Sequence, residues 1–355
     1  MLSSERLVIT GGAGFIGTNL VSFLLSCDPP HITIIDRLSY AGSFDNFGQY
    51  SNNKNLTLVK GDIADRQLLN NVLQQQRPNA IINLAAETHV DRSIDNPRDF
   101  IQTNVVGTFE LLEAARAYFS QLDSESRSSF RLLHVSTDEV FGSLDGGGAS
   151  TEKTRYSPRS PYAASKAASD HFVHAYFHTF GLPVLTTNCS NNYGPFQYPE
   201  KLVPLALVRA LAGESIPVYG DGLNIRDWLF VDDHCRAIST VLERGIPGES
   251  YNIGARVRLT NLQVVQTVCD TLDSLCPKSF SHRKLIVFVE DRPGHDRRYA
   301  IDPSKIEVEL GWRPSIGFAE GILRTAMWYL GNRDFCRRIA SSGYKQERLG
   351  LGGRP

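Results

Sequence analysis

Short runs of apolar residues alternate with longer helical patterns along the first half of the chain. The runs are continuous and rich in branched side chains, which is typical of strands buried on both faces of a parallel sheet. They lie at Leu7–Thr10, Ile32–Ile35, Leu56–Val59, Ala80–Leu84, Leu132–Ser136 and Val184–Asn188. Apolar residues recur with helical spacing at Ile16–Cys27, Asp65–Gln76, Asp99–Phe119 and Pro161–Phe180. This alternation predicts an α/β fold with a doubly wound parallel sheet.

The pattern changes after the sixth strand. Residues Asn191–Pro199 are rich in turn-forming and aromatic residues, and we expect them to lie outside any sheet. A helix is predicted at Leu202–Ala212. We expect the stretch Asp227–Gly245 and a strand at Tyr251–Ile253 to belong to the same part of the molecule as the first six strands.

We therefore expect two units. The larger unit comprises residues 1–190 plus 228–254 and carries the parallel sheet. The smaller, C-terminal α/β unit comprises residues 191–227 plus 255–355. A ligand is expected in the cleft between them, because clefts at domain boundaries and at the ends of such strands are common binding sites.

The composition is that of an ordinary globular protein. The 355 residues carry 37 Lys and Arg against 38 Asp and Glu, a net charge of −1, so nothing indicates a nucleic-acid or membrane partner. No apolar run approaches the roughly 18 residues of a membrane span. An apolar strand begins almost at once, which leaves no room for a signal peptide, and the six cysteines form no CxxC pair. We expect a cytoplasmic protein with reduced thiols.

Gly11, Gly14 and Gly17 frame a loop between the first strand and the first helix. Glycine permits a tight turn, close approach of the backbone to a pyrophosphate and close packing of the helix on the sheet. The first amides of the helix, at Phe15 and Ile16, then face the phosphates. In this context the GxxGxxG pattern predicts a dinucleotide-binding sheet of the Rossmann type. The alternative is a glycine-rich turn without a ligand.

Two aspartates follow the next two strands. A carboxylate at Asp36 would accept hydrogen bonds from an adenosine ribose and repel a 2′-phosphate, which favours NAD over NADP as the cofactor. Its alternative role is a helix cap or a turn. The run from Gly61 through Asp62 to Ile63 ends the third strand and would place Asp62 beside the adenine.

Tyr162 and Lys166 stand four residues apart on a predicted helix and therefore share one face. A free tyrosine has a pKa of about 10 and is a poor base at neutral pH. We expect the Lys166 ammonium and the positive charge of an oxidised nicotinamide to lower the pKa of Tyr162. Its phenolate could then take the proton of a sugar hydroxyl while hydride leaves the same carbon. The pair predicts a redox step.

Asp138 and Glu139 are adjacent acids at the end of the fifth strand. Two close carboxyls resist double ionisation, so the pair supplies one proton donor and one acceptor. The sequence does not decide which of the two holds the proton. A plain dehydrogenase does not need these extra proton transfers, so the pair indicates an elimination combined with the redox step. The alternative is a pair of exposed charges at a strand end.

With these motifs in place, the chain resembles the extended short-chain dehydrogenase/reductase family and, within it, the dTDP-glucose 4,6-dehydratases. The matching stretches are TGGAGFIG, NLAAETHVDRSI, STDEVFG, SPYAASKAASDH, NCSNNYGPFQYPEKLVPL, IRDWLFVDDH, DRPGHDRRYAID and YKQERLGL. They span nearly the whole chain, and the TDE and DRPGHD runs are the most specific. Phe141 departs from the pattern, which more usually has tyrosine there.

The resemblance implies a role for each catalytic residue. Tyr162 takes the proton of the glucose C4 hydroxyl while hydride passes from C4 to NAD, and Thr137 hydrogen-bonds the C4 oxygen. Glu139 then removes the C5 proton, and Asp138 donates a proton to the departing C6 hydroxyl. The hydride finally returns to C6, so the product is a 4-keto-6-deoxy sugar nucleotide.

The resemblance also implies binding residues. Ala85 would approach NAD closely, and Asn104 is either a cofactor contact or a buried structural residue. Arginines suit a diphosphate because they form bidentate bonds, although surface ion pairing is their alternative. The nucleotide sugar, dTDP-glucose or a relative, would contact Thr88, Asn191, Glu200, Lys201, Leu202, Pro217, Tyr219, Arg226, Asn261, Arg292 and His295.

Other readings remain open. A nucleotide-sugar 4-epimerase or decarboxylase on the same fold would need the tyrosine but not the acid pair, and a catalytically dead NAD-binding regulator would be free to lose Tyr162 or Lys166. His174 and His178 have helical i,i+4 spacing, but no carboxylate pattern of a metal site accompanies them, so no metal is expected. The family resemblance implies a homodimer joined through the Tyr162 helix. The sequence does not distinguish thymidine from uridine nucleotides, nor the pathway that consumes the product.

Overall fold

The computed structural model describes residues 6–26, 29–144 and 146–341. Cys27, predicted as the end of a helix, and the YKQERLGL run lie outside these residues. The strands are β1 (Arg6–Thr10), β2 (His31–Asp36), β3 (Leu56–Lys60), β4 (Ala80–Asn83), β5 (Arg131–Thr137), β6 (Val184–Cys189), β7 (Asn191–Tyr193), β8 (Ile216–Tyr219), β9 (Ile225–Phe230), β10 (Ser250–Ile253), β11 (Arg258–Thr260) and β12 (Ile286–Val289).

Helices connect most of these strands. The α-helices are α1 (Phe15–Ser26), α2 (Arg66–Gln76), α3 (Val90–Asp95), α4 (Pro97–Phe100), α5 (Thr108–Ser120), α6 (Ser124–Ser129), α7 (Pro161–Phe180), α8 (Leu202–Ala212), α9 (Val231–Arg244), α10 (Asn261–Leu275), α11 (Ser304–Leu310), α12 (Phe318–Gly331) and α13 (Arg333–Ser341). Short 3₁₀ helices occur at Phe44–Tyr50, Asp138–Phe141 and His282–Leu285. Among the described residues, no helix has both the length and the apolar character that crossing a membrane requires.

Seven strands form a central sheet in the order β10-β6-β5-β4-β1-β2-β3, and every pairing in it is parallel. The strand order reverses between β1 and β4, which is where Rossmann sheets bind dinucleotides. All seven predicted strands of this sheet are present, with small differences at their ends. The predicted fold class, a doubly wound parallel Rossmann sheet with a smaller α/β part, is confirmed.

The two faces of the central sheet have separate cores. On β1, Leu7 and Ile9 pack in a core with residues of α1 and α9, whereas Val8 packs on the opposite face with residues of α2, α5 and α7. Because both faces are covered, successive side chains are equally apolar, and the strands read as continuous apolar runs. The sheet thus holds its carboxyl ends in fixed positions.

The helix predicted at Asp99–Phe119 is not a single α-helix. Between α4 and α5 the backbone forms a π-helix at Ile101–Gly107, with an extra residue in each turn. Gly107 lies so close to Ile63 that a Cβ there would stand 2.7 Å from its side chain. Apolar periodicity does not resolve a local widening of this kind, which is why the sequence predicted one continuous helix.

The prediction that Asn191–Pro199 lies outside any sheet is wrong for its first three residues. They form β7, which pairs in parallel with β9 from Trp228 to Phe230. The antiparallel β11 completes this three-stranded sheet, and β8 pairs with β12 in a separate two-stranded sheet. A three-residue strand carries too little periodicity to be recognised among turn-forming residues.

Strand β9 faces two cores. Trp228 and Phe230 pack in a third core with residues of α8, α10 and α12, whereas Leu229 packs in the core of the central sheet. Ile306 and Trp312 also pack in that central core, although they belong to the range that the sequence assigned to the smaller unit. The chain therefore crosses between the two parts of the molecule again after α10.

Candidate active site

A cavity of about 330 Å³ lies over the carboxyl ends of β1, β2, β4, β5 and β6. Most residues predicted to bind a cofactor or to act in catalysis line it. Those residues are Gly11, Gly14, Phe15, Ile16, Gly17, Asp36, Asp62, Ile63, Ala85, Thr137, Asp138, Glu139, Tyr162 and Lys166. Five of the predicted substrate contacts line it as well, namely Thr88, Asn191, Glu200, Lys201 and Leu202.

The glycine loop fits a dinucleotide. Gly11 has a φ of +68°, and a Cβ there would stand 2.5 Å from the backbone nitrogen of Ala85. A Cβ on Gly17 would stand 2.5 Å from the Cα of Gly12. A Cβ on Gly14 would meet only the Gly11 carbonyl oxygen, at 3.4 Å, and would otherwise occupy the cavity itself. A side chain at Gly11 or Gly17 would therefore clash where the loop packs, whereas Gly14 leaves free space where a pyrophosphate would approach the start of α1.

Asp36 is held at the end of β2 by two backbone groups. Its carboxyl oxygens accept the N–H of Ala13 at 3.0 Å and the N–H of Leu38 at 2.8 Å. Burial raises the pKa of Asp36, while these hydrogen bonds oppose the rise. Because each carboxylate oxygen has two lone pairs, the side chain can still accept from a ribose. Asp36 therefore serves as a turn residue and also faces the cavity.

Arg37 was not singled out from the sequence, yet it also lines the cavity. Its guanidinium forms an ion pair with Glu87, donates to the Thr103 hydroxyl at 3.0 Å and lies 3.6 Å from Asp62. The arginine that follows Asp36 is thus held by the Glu87 carboxylate. Glu87 lies in the NLAAETHVDRSI run. Its position as a charged residue just after an apolar strand is the feature of the sequence that could have identified it.

Asn104 is buried outside the cavity. Its amide donates to the Glu87 carbonyl oxygen at 3.0 Å and to the Ser165 hydroxyl at 2.8 Å, and its carbonyl accepts the Glu87 N–H at 2.8 Å. These contacts support the structural alternative for Asn104. Its predicted role in cofactor binding stays a prediction.

The acid pair lies on the 3₁₀ turn after β5. The Thr137 hydroxyl caps this turn by accepting the Glu139 N–H at 3.3 Å. Burial, the neighbouring Glu139 and Asp227 together raise the pKa of Asp138 well above its usual value. Burial also raises the pKa of Glu139, but the Arg292 and Arg226 cations oppose it. These opposed surroundings support Asp138 as the proton donor and Glu139 as the base.

Tyr162 is the second residue of α7 and is 7% exposed. Burial and the Glu139 carboxylate raise the pKa of Tyr162 well above its usual value, whereas a hydrogen bond from Thr137 lowers it. The Lys166 Nζ donates to the Val135 carbonyl oxygen at 2.9 Å and interacts with the Asp170 carboxylate. The expectation that Lys166 and the nicotinamide charge lower the phenol pKa stays a prediction.

A buried polar network lies beneath Lys166. The His134 Nε2 is 3.3 Å from both Lys166 Nζ and an oxygen of Asp170. Asp170 also accepts hydrogen bonds from Ser136 at 2.7 Å and from Tyr156 at 3.0 Å. His134 and Asp170 were not recognised from the sequence. The signals were a histidine inside an apolar strand and an aspartate four residues after Lys166.

Glu200 and Lys201 link the two sides of the cavity. Glu200 accepts hydrogen bonds from the Tyr40 hydroxyl at 2.8 Å and from Arg92 Nε at 3.1 Å. The Arg92 guanidinium lies 3.9 Å from the centre of the Tyr40 ring. Lys201 Nζ donates to the Thr88 carbonyl oxygen at 2.7 Å. A loop after β2 is thereby joined to the segment before α8.

The other six predicted substrate contacts do not line the cavity. Arg292 forms an ion pair with Asp91 at 2.7 Å, and Tyr219 donates to the same carboxylate at 3.1 Å. Arg226 is buried, donates to the Asp296 carbonyl oxygen at 2.9 Å and lies 4.4 Å from the centre of the Tyr299 ring.

The remaining three of these six residues are Pro217, Asn261 and His295. Pro217 lies in β8 opposite Val287, and the N–H of Asn261 donates to the Asn224 carbonyl oxygen at 3.0 Å at the start of α10. His295 Nδ1 lies 2.6 Å from Asp291. The sugar-nucleotide contacts of all six residues stay predictions. Among the described residues, no cluster of three or more His, Cys, Asp or Glu side chains is arranged to hold a metal ion.

A family comparison decides where the chain belongs. The sequence model of the GDP-mannose 4,6-dehydratase family matches residues 8–325. The chain belongs to this family. A dTDP-glucose 4,6-dehydratase of Xanthomonas campestris pv. campestris strain B100 is 53% identical over 97% of this chain and 98% of that protein. One of Neisseria meningitidis serogroup B is 48% identical over 98% and 99%. The resemblance inferred from the motifs is confirmed.

Solved structures agree with the sequence relatives. The dTDP-glucose 4,6-dehydratase DesIV of Streptomyces venezuelae, crystallised with NAD and dTDP bound, is 44% identical, with a TM-score of 0.87 over 94% of this chain and 99% of that chain. A UDP-glucose 4-epimerase of Thermus thermophilus with NAD has a TM-score of 0.81 at 29% identity, over 92% and 99%. Dehydratases and epimerases thus share this fold, so the two activities have to be distinguished by residues of the site such as the acid pair.

Proposed function

We propose that this chain is an NAD-dependent lyase that converts dTDP-glucose into the 4-keto-6-deoxy sugar nucleotide with loss of water. The observation that carries the proposal is that the buried Asp138 and the half-buried Glu139 line one cavity with Tyr162, in a chain about half identical to dTDP-glucose 4,6-dehydratases over almost its whole length. Gly11, Gly14 and Gly17 would hold the pyrophosphate of NAD, and Asp36 would accept from its ribose. The chemistry that bound NAD supplies is reversible hydride transfer.

Tyr162 would act first, as the base that takes the C4 hydroxyl proton. The Thr137 hydroxyl, which already hydrogen-bonds the phenol, can also orient the C4 oxygen. Oxidation at C4 produces a ketone that acidifies the C5 proton. Loss of that proton is what the acid pair is placed to catalyse.

The acid pair would then complete the elimination. Three cations, Arg292, Arg226 and Lys201, oppose the rise that burial causes in the pKa of Glu139, which favours its carboxylate as the acceptor of the C5 proton. Arg226 is the one cation that opposes the larger rise in the pKa of Asp138, which favours Asp138 as the donor to the departing C6 hydroxyl. General acid and base groups of this kind each contribute about 10² to 10⁴-fold to a rate.

The epimerase alternative is less well supported. An epimerase needs a tyrosine and a hydride acceptor, but it has no water to expel. A buried carboxyl oxygen without a hydrogen bond lowers the stability of the fold, and Asp138 Oδ2 has no hydrogen-bond partner among the described residues. A catalytic role would account for this loss of stability, whereas a regulator without catalysis would not.

The decisive experiment incubates the protein with dTDP-glucose and UDP-glucose in parallel and measures product masses. We expect loss of one water from dTDP-glucose, and faster than from UDP-glucose. A product of unchanged mass with inverted C4 would instead show an epimerase. No turnover of either sugar by protein that retains NAD would show a regulator.

Two variants test the order of steps. Tyr162→Phe should prevent formation of NADH with little loss of sugar-nucleotide binding, because the ring is kept and only the base is removed. Glu139→Gln should still form NADH, visible by its absorbance, but should not release water. An unchanged overall rate in Glu139→Gln would show that another group removes the C5 proton.

We also propose that two copies associate through α7. Phe172 and Phe180 on α7 are 41% and 49% exposed, and Ile101 on the neighbouring π-helix is 56% exposed. Large apolar side chains exposed together are typical of interfaces. Native mass measurement should find a dimer, and Phe172→Glu should shift it to a monomer. A single-chain mass for the unmodified protein would contradict the proposal.

Two further proposals concern organisation and location. We propose that residues 1–190 plus 228–254 form the NAD-binding unit and that residues 191–227 plus 255–355 form most of the nucleotide-sugar unit, with α11 packing on the former.

We also propose that the protein acts in the cytoplasm. The five cysteines that the structure describes are free thiols, which suits a reducing compartment. Cell fractionation tests the location.

A further inference from the structure

The proposed reaction, on which this inference rests, leaves the enzyme with a proton on Tyr162 in place of the one that was on Asp138 at the start. Hydride moves from C4 to C6, and C5 loses one proton to Glu139 and regains one. The expelled water therefore consists of the C6 hydroxyl and, by balance, the proton of the C4 hydroxyl. Tyr162 takes that proton, whereas Asp138 gives the proton that completes the water. Each turnover thus ends with a neutral Tyr162 and an ionised Asp138, the reverse of the starting state.

Both groups have little solvent exposure. Tyr162 is 7% exposed and Asp138 is 3% exposed. Asp138 Oδ2 has no hydrogen-bond partner in the described part of the chain, and its only other oxygen faces Thr137. While NAD and the sugar nucleotide fill the cavity that both groups line, solvent has little access to either group, and an internal route would join them directly.

Thr137 lies between the two groups. Its hydroxyl hydrogen-bonds the Tyr162 phenol and lies 3.5 Å from Asp138 Oδ1, to which it is oriented to donate. It also accepts the Glu139 N–H at 3.3 Å. A hydroxyl has one donor and two acceptor positions. The N–H of Glu139 takes one acceptor position, so one donor and one acceptor position remain, which is what a group that receives a proton from the phenol and passes one to Asp138 needs.

We propose that Thr137 carries the proton from Tyr162 back to Asp138 after each turnover. The Tyr162 O–H bond breaks as its proton joins the Thr137 oxygen, and the Thr137 O–H bond breaks as its own proton joins Asp138. The negative charge moves from the carboxylate to the phenolate, and no other reactant is consumed. Burial favours the neutral form of both groups, so the positive charge of bound, oxidised nicotinamide, which favours the phenolate, would give the transfer its direction.

The test compares the first turnover with later ones. Holoenzyme of Thr137→Val is mixed with excess dTDP-glucose and quenched over time. Protein stored before mixing has time to equilibrate its protons, so the first turnover can proceed. We expect about one product per active site in a fast phase, followed by turnovers slower by about 10²-fold, the usual contribution of a placed proton-transfer group. Unmodified protein should show no such burst.

The other roles of Thr137 predict a different time course. Loss of its cap on Glu139, or of its contact with the C4 oxygen, slows the first and later turnovers equally. Equal slowing in Thr137→Val would therefore overturn the proposal. Thr137→Ser keeps a hydroxyl and should show no burst, so a burst in that variant would overturn it as well. If Thr137→Val does not retain NAD, Thr137→Ala is judged by the same criterion.

Failure of the relay and failure of the proposed function are distinguishable in this experiment. Product one water lighter than dTDP-glucose, formed by the unmodified protein, supports the function whatever the variants do. Such product without a burst in Thr137→Val removes only the relay. Absence of that product from the unmodified protein removes both.

Discussion

Glu139 shows how neighbouring residues set the chemistry of a single side chain. Burial raises its pKa, and the Arg292 cation is the largest influence in the opposite direction, followed by Arg226 and Lys201. A base must be ionised to act, so activity is lost as the pH falls through the pKa of Glu139. The acid limb of the pH–rate profile should therefore depend on these cations.

Arg292→Gln should move that acid limb to higher pH. Removing the cation leaves burial less opposed, so the pKa of Glu139 rises and the base is protonated at a higher pH than before. The measurement is kcat against pH with saturating dTDP-glucose, so that weaker binding does not contribute. Arg292→Lys keeps the charge and should leave the limb nearly unchanged. A limb that stays in place, or moves to lower pH, in Arg292→Gln would contradict this account.

Cofactor choice should depend on Glu87 as well as on Asp36. Glu87→Gln would release the Arg37 guanidinium, which could then bind a 2′-phosphate. We expect the affinity for NADP to rise about tenfold, because a hydrogen bond to a charged group contributes about 1.5–3 kcal/mol. The dissociation constants of NADP and NAD are measured for both proteins. Thr103→Val, which removes only a neutral contact of Arg37, is the control and should change the NADP affinity little.

The catalytic and NAD-binding residues that could be predicted were those on strand ends and the first helix turns, where local sequence fixes position. Gly11, Asp36, Asp138 and Tyr162 all face the cavity as expected. Partners distant in sequence could not be predicted. Arg37 and Glu87 meet only because β2 and β4 end at the same edge of the sheet, flanking β1, and periodicity contains no information on that meeting.

At the level of elements, the π-helix Ile101–Gly107 joins the cofactor side to the helix that carries Tyr162. Asn104 makes the connection through Glu87 and Ser165. A wider helical turn presents its side chains differently from an α-helix. The element therefore positions α7 relative to the loop after β4.

Asn104→Ala should destabilise this junction. It would leave the backbone groups of Glu87 without their partner, and a buried unsatisfied polar group costs about 1–3 kcal/mol. The free energy of unfolding is measured by denaturant titration. Gln102→Ala changes an exposed residue of the same π-helix and should cost much less. Equal losses for the two variants would show that the helix, and not the Asn104 contacts, is responsible.

At the level of the whole molecule, the sequence predicted the central sheet well and the smaller part less well. The seven strands of the central sheet were recognised because they contain continuous runs of apolar or β-branched residues. Strand β7 and the return of Trp312 to the central core were not recognised. Both depend on packing between segments far apart in sequence, and β7 has only three residues of its own.

The alternation of side chains along β9 has a thermodynamic consequence. Trp228 and Phe230 belong to one core and Leu229 to the other, so one backbone segment anchors both. Neither half of the molecule can melt without withdrawing side chains from the other half. Differential scanning calorimetry should therefore record a single cooperative endotherm whose van't Hoff and calorimetric enthalpies agree. Two separated heat-absorption peaks would mean that the shared strand does not couple the halves.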